Sequence, residues 1–219
     1  MIDFNLLQES FPMLLSGTWL TLQIATFGCI LGFALGTVLG CAQGNKLFII
    51  RALVTAWVTI IRGTPMIVQI TFIYFLLPEI GLGLPAFWAA TVAIGINSSA
   101  YISEIIRSSI TSINKGQLEA AHVLGLSRYD TTRYIVLPQA LRVTLPALGN
   151  EFITLIKDSS LASIIGVTEL YRQATYIRTT TYDIITPYVG MALIYLILTT
   201  SLSIAINRLE RRLNRHVTT

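Results

Sequence analysis

Polar side chains inside otherwise apolar stretches are the residues of this sequence whose chemistry is easiest to interpret. Asn97, Tyr101 and Glu104 are spaced by four and three positions, so a helix would carry them on one face. Thr154 and Asp158 form a second such set, one helical turn apart. Because an unpaired amide or carboxylate in hydrocarbon is strongly destabilising, these positions indicate a polar pathway between helices. A carboxylate there could bind the ammonium or guanidinium group of a small molecule.

Three charged residues close to this set have structural explanations that compete with a binding role. We expect Glu104 to pair with Arg107, which follows it on the same helical face. Lys157 lies about 100° around the helix from its acidic neighbour and is expected to be structural, although an inward-facing lysine would reverse a preference for cationic ligands. Arg62 lies deep in an apolar stretch beside Pro65, which interrupts helical hydrogen bonding. We therefore expect Arg62 to be buried with acceptors at a kink.

The composition of the chain is that of a membrane protein. Of its 219 residues 53% are hydrophobic and 12% are charged, whereas a soluble domain carries about 25% charge. Residues 10–45, 80–103 and 184–207 contain no Asp, Glu, Lys or Arg, and each stretch is long enough to cross a bilayer. Two further stretches are apolar apart from a few charges. We therefore predict one all-α membrane domain over residues 1–219 with five transmembrane helices, at roughly 15–41, 52–77, 84–107, 144–167 and 186–207.

The distribution of positive charge predicts how these helices are oriented. Inner loops of membrane proteins carry an excess of Lys and Arg, so the N-terminus is predicted to be outside and the C-terminus cytoplasmic. The net charge of +4 and the pI near 9.2 then need no nucleic-acid partner, since the basic tail can contact membrane lipid. In this orientation eleven of the 15 Lys and Arg residues lie on the inner side: Lys46, Arg51, Arg107, Lys115, Arg128, Arg133, Arg142, Arg208, Arg211, Arg212 and Arg215.

The N-terminal part of the chain carries two patterns of helix packing. Apolar residues recur at helical spacing through residues 1–17, which predicts a short amphipathic helix in the outer interface ahead of the first span. Within that span, glycines recur every four residues and would form one row along the helix. Such a row lets two helices approach closely, so we expect it to contact another span or another subunit. The row consists of Gly28, Gly32, Gly36 and Gly40.

A basic, polar segment between the third and fourth predicted spans, roughly residues 115–140, has the features of a docking helix. It contains Glu119-Ala120-Ala121, then Gly125, and later Leu137-Pro138. The small residues predict a short helix from Glu119 to Gly125, where glycine can adopt the left-handed conformation of a helix C-cap. Pro138 is expected to end the helix that precedes it. The predicted orientation puts this segment in the cytoplasm.

This spacing closely resembles the EAA loop of the membrane subunits of bacterial ABC importers. Two further stretches resemble the polar amino-acid uptake permeases of the same family, namely Arg62-Gly63-Thr64-Pro65 and residues 155–170 (LIKDSSLASIIGVTEL). The resemblance covers nearly the whole chain. It implies a membrane permease subunit of a type I ABC importer, similar to the histidine, arginine and glutamine permeases. Such a subunit carries polar, cationic or amide amino acids by alternating access.

The resemblance also implies roles for particular residues. In this family the EAA loop forms a coupling helix that fits a groove on a separate ATPase, and substrate contacts come from the third and fourth spans. The implied substrate-binding residues are Asn97, Thr154 and Asp158, with Ser98, Tyr101 and Ser159 as further candidates. The implied ATPase-coupling residues are Glu119, Ala120, Ala121 and Gly125, with Arg128 and Asp130 at the rim. Arg62 and Pro65 are given a mainly structural role at the helix kink.

The implied assembly has several partners. Two permease subunits, identical or related, would enclose the path in the bacterial cytoplasmic (inner) membrane. A solute-binding protein, periplasmic or lipid-anchored, would deliver the amino acid. Two ATPase subunits would bind ATP and Mg²⁺, because this sequence contains no phosphate-binding loop of the G-x-x-x-x-G-K-[S/T] type. We expect no cofactor, metal site or catalytic residue in this chain itself.

Two other classes of function compete with the importer. A secondary transporter driven by an ion gradient is expected to contain inverted repeats with broken helices in matching halves. The sequence has no obvious repeat, and such a transporter leaves the EAA segment unexplained. A membrane-embedded enzyme or a structural scaffold is the third class, and an enzyme would need a convergent catalytic set that the sequence does not present. Co-purification of an ATPase would separate the importer from both.

Overall fold

Nine α-helices make up most of the residues that the structure describes, which are 2–44 and 47–214 of a computed structural model. That part of the chain contains no β-strand. Lys46 and Arg215, both predicted on the inner side, lie outside the described residues. In chain order the elements are α1 (Phe4–Gln43), α2 (Phe48–Gly63), α3 (Met66–Leu76), a 3₁₀ segment (Leu77–Ile80), α4 (Ala86–Thr111), α5 (Lys115–Val123), α6 (Arg128–Thr131), a π-helical turn (Thr132–Val136), α7 (Leu137–Asp158), a 3₁₀ segment (Ser159–Ile165), α8 (Leu170–Thr181) and α9 (Ile185–Asn214).

The first helix is longer than the sequence suggested. α1 is continuous over 40 residues from Phe4, so the separate interfacial helix expected at residues 1–17 is wrong. Asp3 caps α1 by accepting hydrogen bonds from two backbone N–H groups of the first turn. Pro12 lies inside the helix without ending it. The first turns of α1 pack against α8 and α9, and this packing outweighs the backbone hydrogen bond that proline cannot make.

The glycine row of α1 forms the contact between α1 and α4. A β-carbon added at Gly28 would lie 2.9 Å from the side chain of Ile94, and one at Gly36 would lie 2.8 Å from Ile102. Two helices can approach this closely only where side chains are absent from one of them. The neighbour of the row is therefore another helix of the same chain. The rest of the row is equally tight, with Gly32 against Ser98 and Gly40 against Ser103.

The second predicted span consists of two helices rather than one kinked helix. α2 and α3 are bent by 101° relative to each other at Thr64 and Pro65. Within the described residues, α1, α4 and α9 are each long and apolar enough to cross a membrane, and α2 with α3 makes a fourth if the bent pair is one span. α7, the core of the fourth predicted span, is not among them, since its charged side chains lower its hydropathy. The total of five spans and their orientation stay predictions.

Contacts between distant parts of the chain define the two ends of the bundle. At one end the backbone N–H of Asp3 donates to the hydroxyl of Thr186 over 3.0 Å, which joins the beginnings of α1 and α9. At the other end the amide of Gln43 donates to Glu104 over 3.2 Å, which joins the last turns of α1 and α4. Since α5 follows α4 directly, the EAA segment lies at this second end, opposite α8.

The core between the two ends holds together the helices that surround the candidate site. Ile24 of α1, Ile70 of α3, Ile94 of α4 and Ile156 of α7 are all fully buried in one cluster. In a bilayer such a cluster stabilises the bundle through close van der Waals packing, because lipid is as apolar as these side chains. The packing therefore sets the positions of α3, α4 and α7 relative to α1.

A buried carboxylate at the N-terminus of α8 fastens this helix to the bundle. The two oxygens of Glu169 accept hydrogen bonds from the backbone N–H groups of Tyr171 and Arg172, each over 2.8 Å, as an N-cap does. The hydroxyl of Tyr195 in α9 donates to the same carboxylate over 3.3 Å. Glu169 is fully buried. Burial raises the pKa of this carboxyl to about 7, against the opposing effect of the hydrogen bonds.

We expect Glu169 to make the folded protein less stable as the pH rises from about 4.5 to about 7. In this window the folded state binds a proton that the unfolded chain has already released, so raising the pH favours unfolding. The expected loss is a few kcal/mol at most. Thermal unfolding of the purified protein between pH 5 and pH 8 measures it, with Glu169→Gln, which cannot titrate, as the control. An identical pH dependence in the wild type and the variant would contradict the expectation.

Candidate functional site

A cavity of about 480 Å³ lies where the break between α2 and α3 faces α4 and α7. This volume is in the range of pockets that hold small molecules. Asn97, Tyr101, Thr154 and Asp158, all of which the sequence indicated, line the cavity. The rest of the lining consists of Arg62, Gly63, Thr64, Pro65, Met66 and Glu151.

Regular helical spacing brings the polar residues of α7 into one wall of the cavity. Thr154 and Asp158 are one turn apart, and Glu151 precedes them by another turn on the same face. Glu151 was not among the residues expected to bind a ligand. The spacing of i, i+3 and i+7 through these three residues was the signal that could have placed it there.

Ser98 and Ser159 lie outside the cavity lining, contrary to the expectation that they contact a substrate. Both side chains are fully buried. The hydroxyl of Ser98 donates to Oε1 of Glu151 over 2.8 Å, so it orients a carboxylate that does line the cavity. The hydroxyl of Ser159 donates to the backbone oxygen of Ile156 over 2.8 Å. Each serine directly follows a lining residue, so its side chain is turned about 100° away from the cavity.

At the break between α2 and α3, side chains make the hydrogen bonds that the backbone carbonyl groups would otherwise lack. Pro65 has no N–H, so the carbonyl of Ile61 loses the donor that a continuing helix would give it. The amide nitrogen of Gln69 donates to that carbonyl and to the hydroxyl of Thr64, each over 2.8 Å. The hydroxyl of Thr64 donates to the carbonyl of Ile60 over 3.0 Å. Irregular backbone of this kind occurs in membrane proteins where it lines a cavity.

Arg62 is exposed to the cavity rather than buried, which corrects the expectation from the sequence. Its guanidinium carbon lies 5.2 Å from the centre of the Tyr101 ring, within the range of a cation–π interaction. The bend at Pro65 puts the end of α2 beside α4, and Arg62 therefore belongs to the lining. The sequence indicated a kink here but not its size, so the place of the Arg-Gly-Thr-Pro segment in the cavity wall was missed.

Glu104 and Lys157, the other charged residues near the predicted pathway, do not line the cavity. Glu104 forms an ion pair with Arg107 over 2.6 Å, so the expected pairing is confirmed. The amide of Gln43 also donates to Glu104. Lys157 is exposed on a different face of α7 from Asp158. The positions of Glu104 and Lys157 therefore agree with the structural roles expected for them.

The charged groups in the lining are two carboxylates and one guanidinium, those of Glu151, Asp158 and Arg62. Groups of opposite charge in one cavity can bind both ends of a zwitterion through charge-assisted hydrogen bonds. The excess of one carboxylate favours a ligand of positive or zero net charge over an acidic ligand. The cavity is thus chemically suited to bind a small polar molecule.

The EAA segment forms α5, and its C-terminus has the predicted geometry. The helix ends at Val123, and Gly125 follows with a φ of +73°. The N–H of Leu126 donates to the carbonyl of Ala121 over 3.1 Å, which closes the last turn. This is the left-handed cap expected from a glycine at this position. α5 begins at Lys115, about one turn earlier than expected.

One side of α5 is exposed at the end of the bundle. Ala121 is buried against the body of the protein, whereas Glu119 and Ala120 are exposed. Val123 and Leu124 are 86% and 79% exposed. These two exposed apolar side chains follow each other at the C-terminal end of α5. Of the other predicted coupling residues, Gly125 and Arg128 are exposed and Asp130 is half-buried.

Pro138 does not end a helix, contrary to the expectation from the sequence. It lies in the first turn of α7, where a residue needs no N–H partner. The π-helical turn Thr132–Val136 leads directly into α7. The segment from α6 onwards is therefore helical up to the end of α7.

Comparisons with known proteins bear on the whole chain. Residues 32–215 match the family model described as the inner membrane component of binding-protein-dependent transport systems. The chain is 43% identical over 213 residues to the glutamine transport system permease protein GlnP of Escherichia coli K12, which covers 96% of this chain and 97% of that protein. It is 41% identical over 218 residues to the L-cystine transport system permease protein TcyB of Bacillus subtilis 168, which covers 99% and 93%.

Solved structures share the fold. A chain in the crystal structure of an amino acid ABC transporter with histidines is 38% identical and superposes with a TM-score of 0.92, over 97% of this chain and 99% of that chain. An inward-facing structure of the MetNI methionine ABC transporter shares the fold at 23% identity, with a TM-score of 0.77. With these matches spanning nearly its whole length, the chain belongs to the family of amino-acid ABC transporter permeases, the inner membrane components of binding-protein-dependent transport systems.

Proposed function

We propose that this chain is the transmembrane subunit of an ATP-driven importer for polar, cationic or amide L-amino acids in the bacterial cytoplasmic membrane. The observation that carries the proposal is the cavity, whose lining combines Asn97, Tyr101, Thr154 and Asp158 with the guanidinium of Arg62. These groups complement the ammonium, the carboxylate and the polar side chain of an amino acid. Relatives named for glutamine and L-cystine transport support an amino acid as the substrate.

The charges of the lining suggest how the substrate is oriented. Asp158 and Glu151 accept hydrogen bonds from its ammonium group or from a cationic side chain. Arg62, at the end of α2, also lines the cavity and donates to the carboxylate of the amino acid. An acidic amino acid would bring another negative group beside two carboxylates, so cationic and neutral polar amino acids bind better.

The proposed topology has five spans, with α7 as the fourth, the N-terminus outside and the C-terminus in the cytoplasm. The clustering of positive charge supports it. Arg107 and Lys115 lie at the end of the bundle that carries α5, and Arg208, Arg211 and Arg212 lie towards the end of α9. An excess of positive charge marks the cytoplasmic side. In this topology α5 faces the cytoplasm and α8 faces outward.

α5 is proposed to be the coupling helix that fits a groove on an ATPase subunit. Its exposed residues Glu119, Ala120, Val123 and Leu124 support this role, with Arg128 and Asp130 at the rim of the groove. The ATPases bind ATP and Mg²⁺. Closure of the ATPases turns the path outward to receive the amino acid from a solute-binding protein, and hydrolysis resets it inward. This chain itself carries no part of the hydrolytic site.

A second permease subunit, identical or related, is proposed to complete the path. The exposure of α2 supports this, because only Val58 and Ile61 of this helix are buried. Leu53, Trp57 and Ile60 are exposed on it. A continuous apolar face of this kind requires cover by protein or lipid.

ATP hydrolysis by the complex in liposomes tests the proposal. The chain would be co-expressed with its candidate ATPase and assayed with the binding protein and each of the 20 amino acids in turn. We expect stimulation by a cationic or amide amino acid. If the ATPase does not assemble with the chain, the proposed coupling to that ATPase through α5 is wrong. If it assembles and no amino acid stimulates hydrolysis, the proposed substrate class is wrong.

A further inference from the structure

We propose that Gln69 is a positioning residue that determines which end of the Asn97 amide is presented to the substrate. The inference rests on the proposed function, because it concerns the same cavity. Asn97 lines the cavity, whereas Gln69 lies behind the lining, next to the break between α2 and α3. Gln69 therefore acts through Asn97 rather than by touching the substrate.

The surroundings of Gln69 determine how its amide is oriented. Pro65 leaves the carbonyl of Ile61 without a backbone donor, and the NH₂ group of Gln69 supplies one. That nitrogen lies 2.8 Å from the carbonyl oxygen of Ile61 and 3.2 Å from that of Thr64. An amide oxygen turned towards these two carbonyls would be repelled by them. Oε1 of Gln69 must therefore point away from the break.

The orientation of Gln69 then determines that of Asn97. Oε1 of Gln69 accepts a hydrogen bond from Nδ2 of Asn97 over 3.1 Å. Since an acceptor faces it there, Asn97 presents its NH₂ group to Gln69 and its Oδ1 to the other side. Asn97 is 5% exposed and lines the cavity. Among the described residues, no hydrogen bond uses its Oδ1, and that oxygen is not one of the buried atoms lacking a partner.

Asn97 therefore offers the cavity the acceptor Oδ1, while its NH₂ group is held on the side of Gln69. An N–H group of the substrate, from an ammonium, a guanidinium or a side-chain amide, satisfies this oxygen. A carboxylate side chain has no N–H to donate, so on binding it would cover this oxygen without pairing it. The charges of the cavity already disfavour acidic side chains. By orienting the neutral amide of Asn97, Gln69 makes this residue disfavour them as well.

A double-mutant comparison of uptake by the reconstituted complex tests this inference. Gln69→Met keeps the length of the side chain and removes both hydrogen-bonding atoms. The substrate would be labelled L-glutamine or L-arginine, whichever the wild type transports faster. We expect the half-saturation concentration of Gln69→Met to be about tenfold higher than that of the wild type. Because Gln69 acts through Asn97, adding Gln69→Met to Asn97→Ala should raise it by less than about threefold more. If the double variant raises the half-saturation concentration by the full product of the two single effects, Gln69 has a general structural role and the inference is overturned.

Competition between amino acids for uptake provides a second measurement, because a purely structural role of Gln69 would not change it. Once freed from Gln69, the Asn97 amide can turn its NH₂ group towards a carboxylate, so L-glutamate should compete more effectively in Gln69→Met than in the wild type. Unchanged competition together with unchanged half-saturation would refute the role of Gln69. If this variant does not assemble, Gln69→Leu removes the same hydrogen-bonding atoms with a shorter side chain and should shift both quantities in the same direction.

A control separates the failure of this inference from the failure of the proposed function. Thr71→Val removes a hydroxyl whose hydrogen bond, in the described part of the chain, is to the carbonyl of Ile67 within α3, so it should keep the wild-type half-saturation concentration. A wild-type complex that transports neither amino acid would contradict the proposed function. An active wild type with the same half-saturation and selectivity in Gln69→Met would contradict this inference alone.

Discussion

Replacing Asp158 with asparagine is expected to raise the half-saturation of amino-acid uptake by about tenfold to a hundredfold without preventing assembly. Asp158 lines the cavity on the same face of α7 as Thr154. Its carboxylate is proposed to accept hydrogen bonds from a cationic group of the substrate, and such bonds contribute about 1.5–3 kcal/mol. Asparagine has nearly the same shape but no charge, so the packing around it should be preserved.

Initial rates of uptake of labelled L-arginine and L-glutamine into liposomes measure this effect. Lys157→Gln is the matched control, because it removes the charge of the adjacent residue, which is exposed and outside the cavity lining. It should stay within about twofold of the wild type. Uptake by Asp158→Asn with the half-saturation of the wild type would remove Asp158 from the binding site.

Replacing Gly125 with valine is expected to abolish most of the coupling between ATP hydrolysis and transport. Gly125 has a φ of +73°, a left-handed conformation that a β-branched residue rarely adopts. No atom lies within 4 Å of the position of an added β-carbon, so the effect comes from the backbone and not from a clash. The strain of about 1–2 kcal/mol or more should rearrange the end of α5. The exposed Val123 and Leu124 would then no longer fit the ATPase.

Co-purification of the ATPase with the permease, followed by stimulated ATP hydrolysis, measures the loss. Gly125→Asn is the matched control, since asparagine adopts the left-handed conformation more readily than other side chains. It should retain about half of the coupling or more. Wild-type coupling in Gly125→Val would count strongly against α5 as the coupling helix.

The polar wall of the cavity could be predicted from the sequence because it lies on regular helices. Asn97 with Tyr101, and Thr154 with Asp158, are each one turn apart, and this relation holds wherever the helices pack. The C-cap at Gly125 was predictable for the same reason, because it depends on local conformation alone.

The rest of the site depends on residues that are distant in sequence. Pro65 indicated a kink, but the 101° bend depends on how α3 packs and on the side chain of Gln69 at the break. The place of Glu151 depends on Ser98 of another helix. The burial of Ser98 depends in turn on Gly32 of α1. Sequence periodicity describes one helix at a time, so it cannot provide such relations.

The glycine row has a consequence for movement in this protein. α1 and α4 are in such close contact along Gly28, Gly32, Gly36 and Gly40 that neither helix can slide or rotate past the other without steric overlap. The two helices therefore behave as one rigid unit, and Asn97 of α4 keeps a fixed position in the wall of the cavity. α2 has no comparable interlock, since so few of its residues are buried. Of the helices that line the cavity, α2 is thus the least fixed by packing, so a change in the width of the cavity would require the smallest rearrangement at the end of α2, next to the break at Pro65.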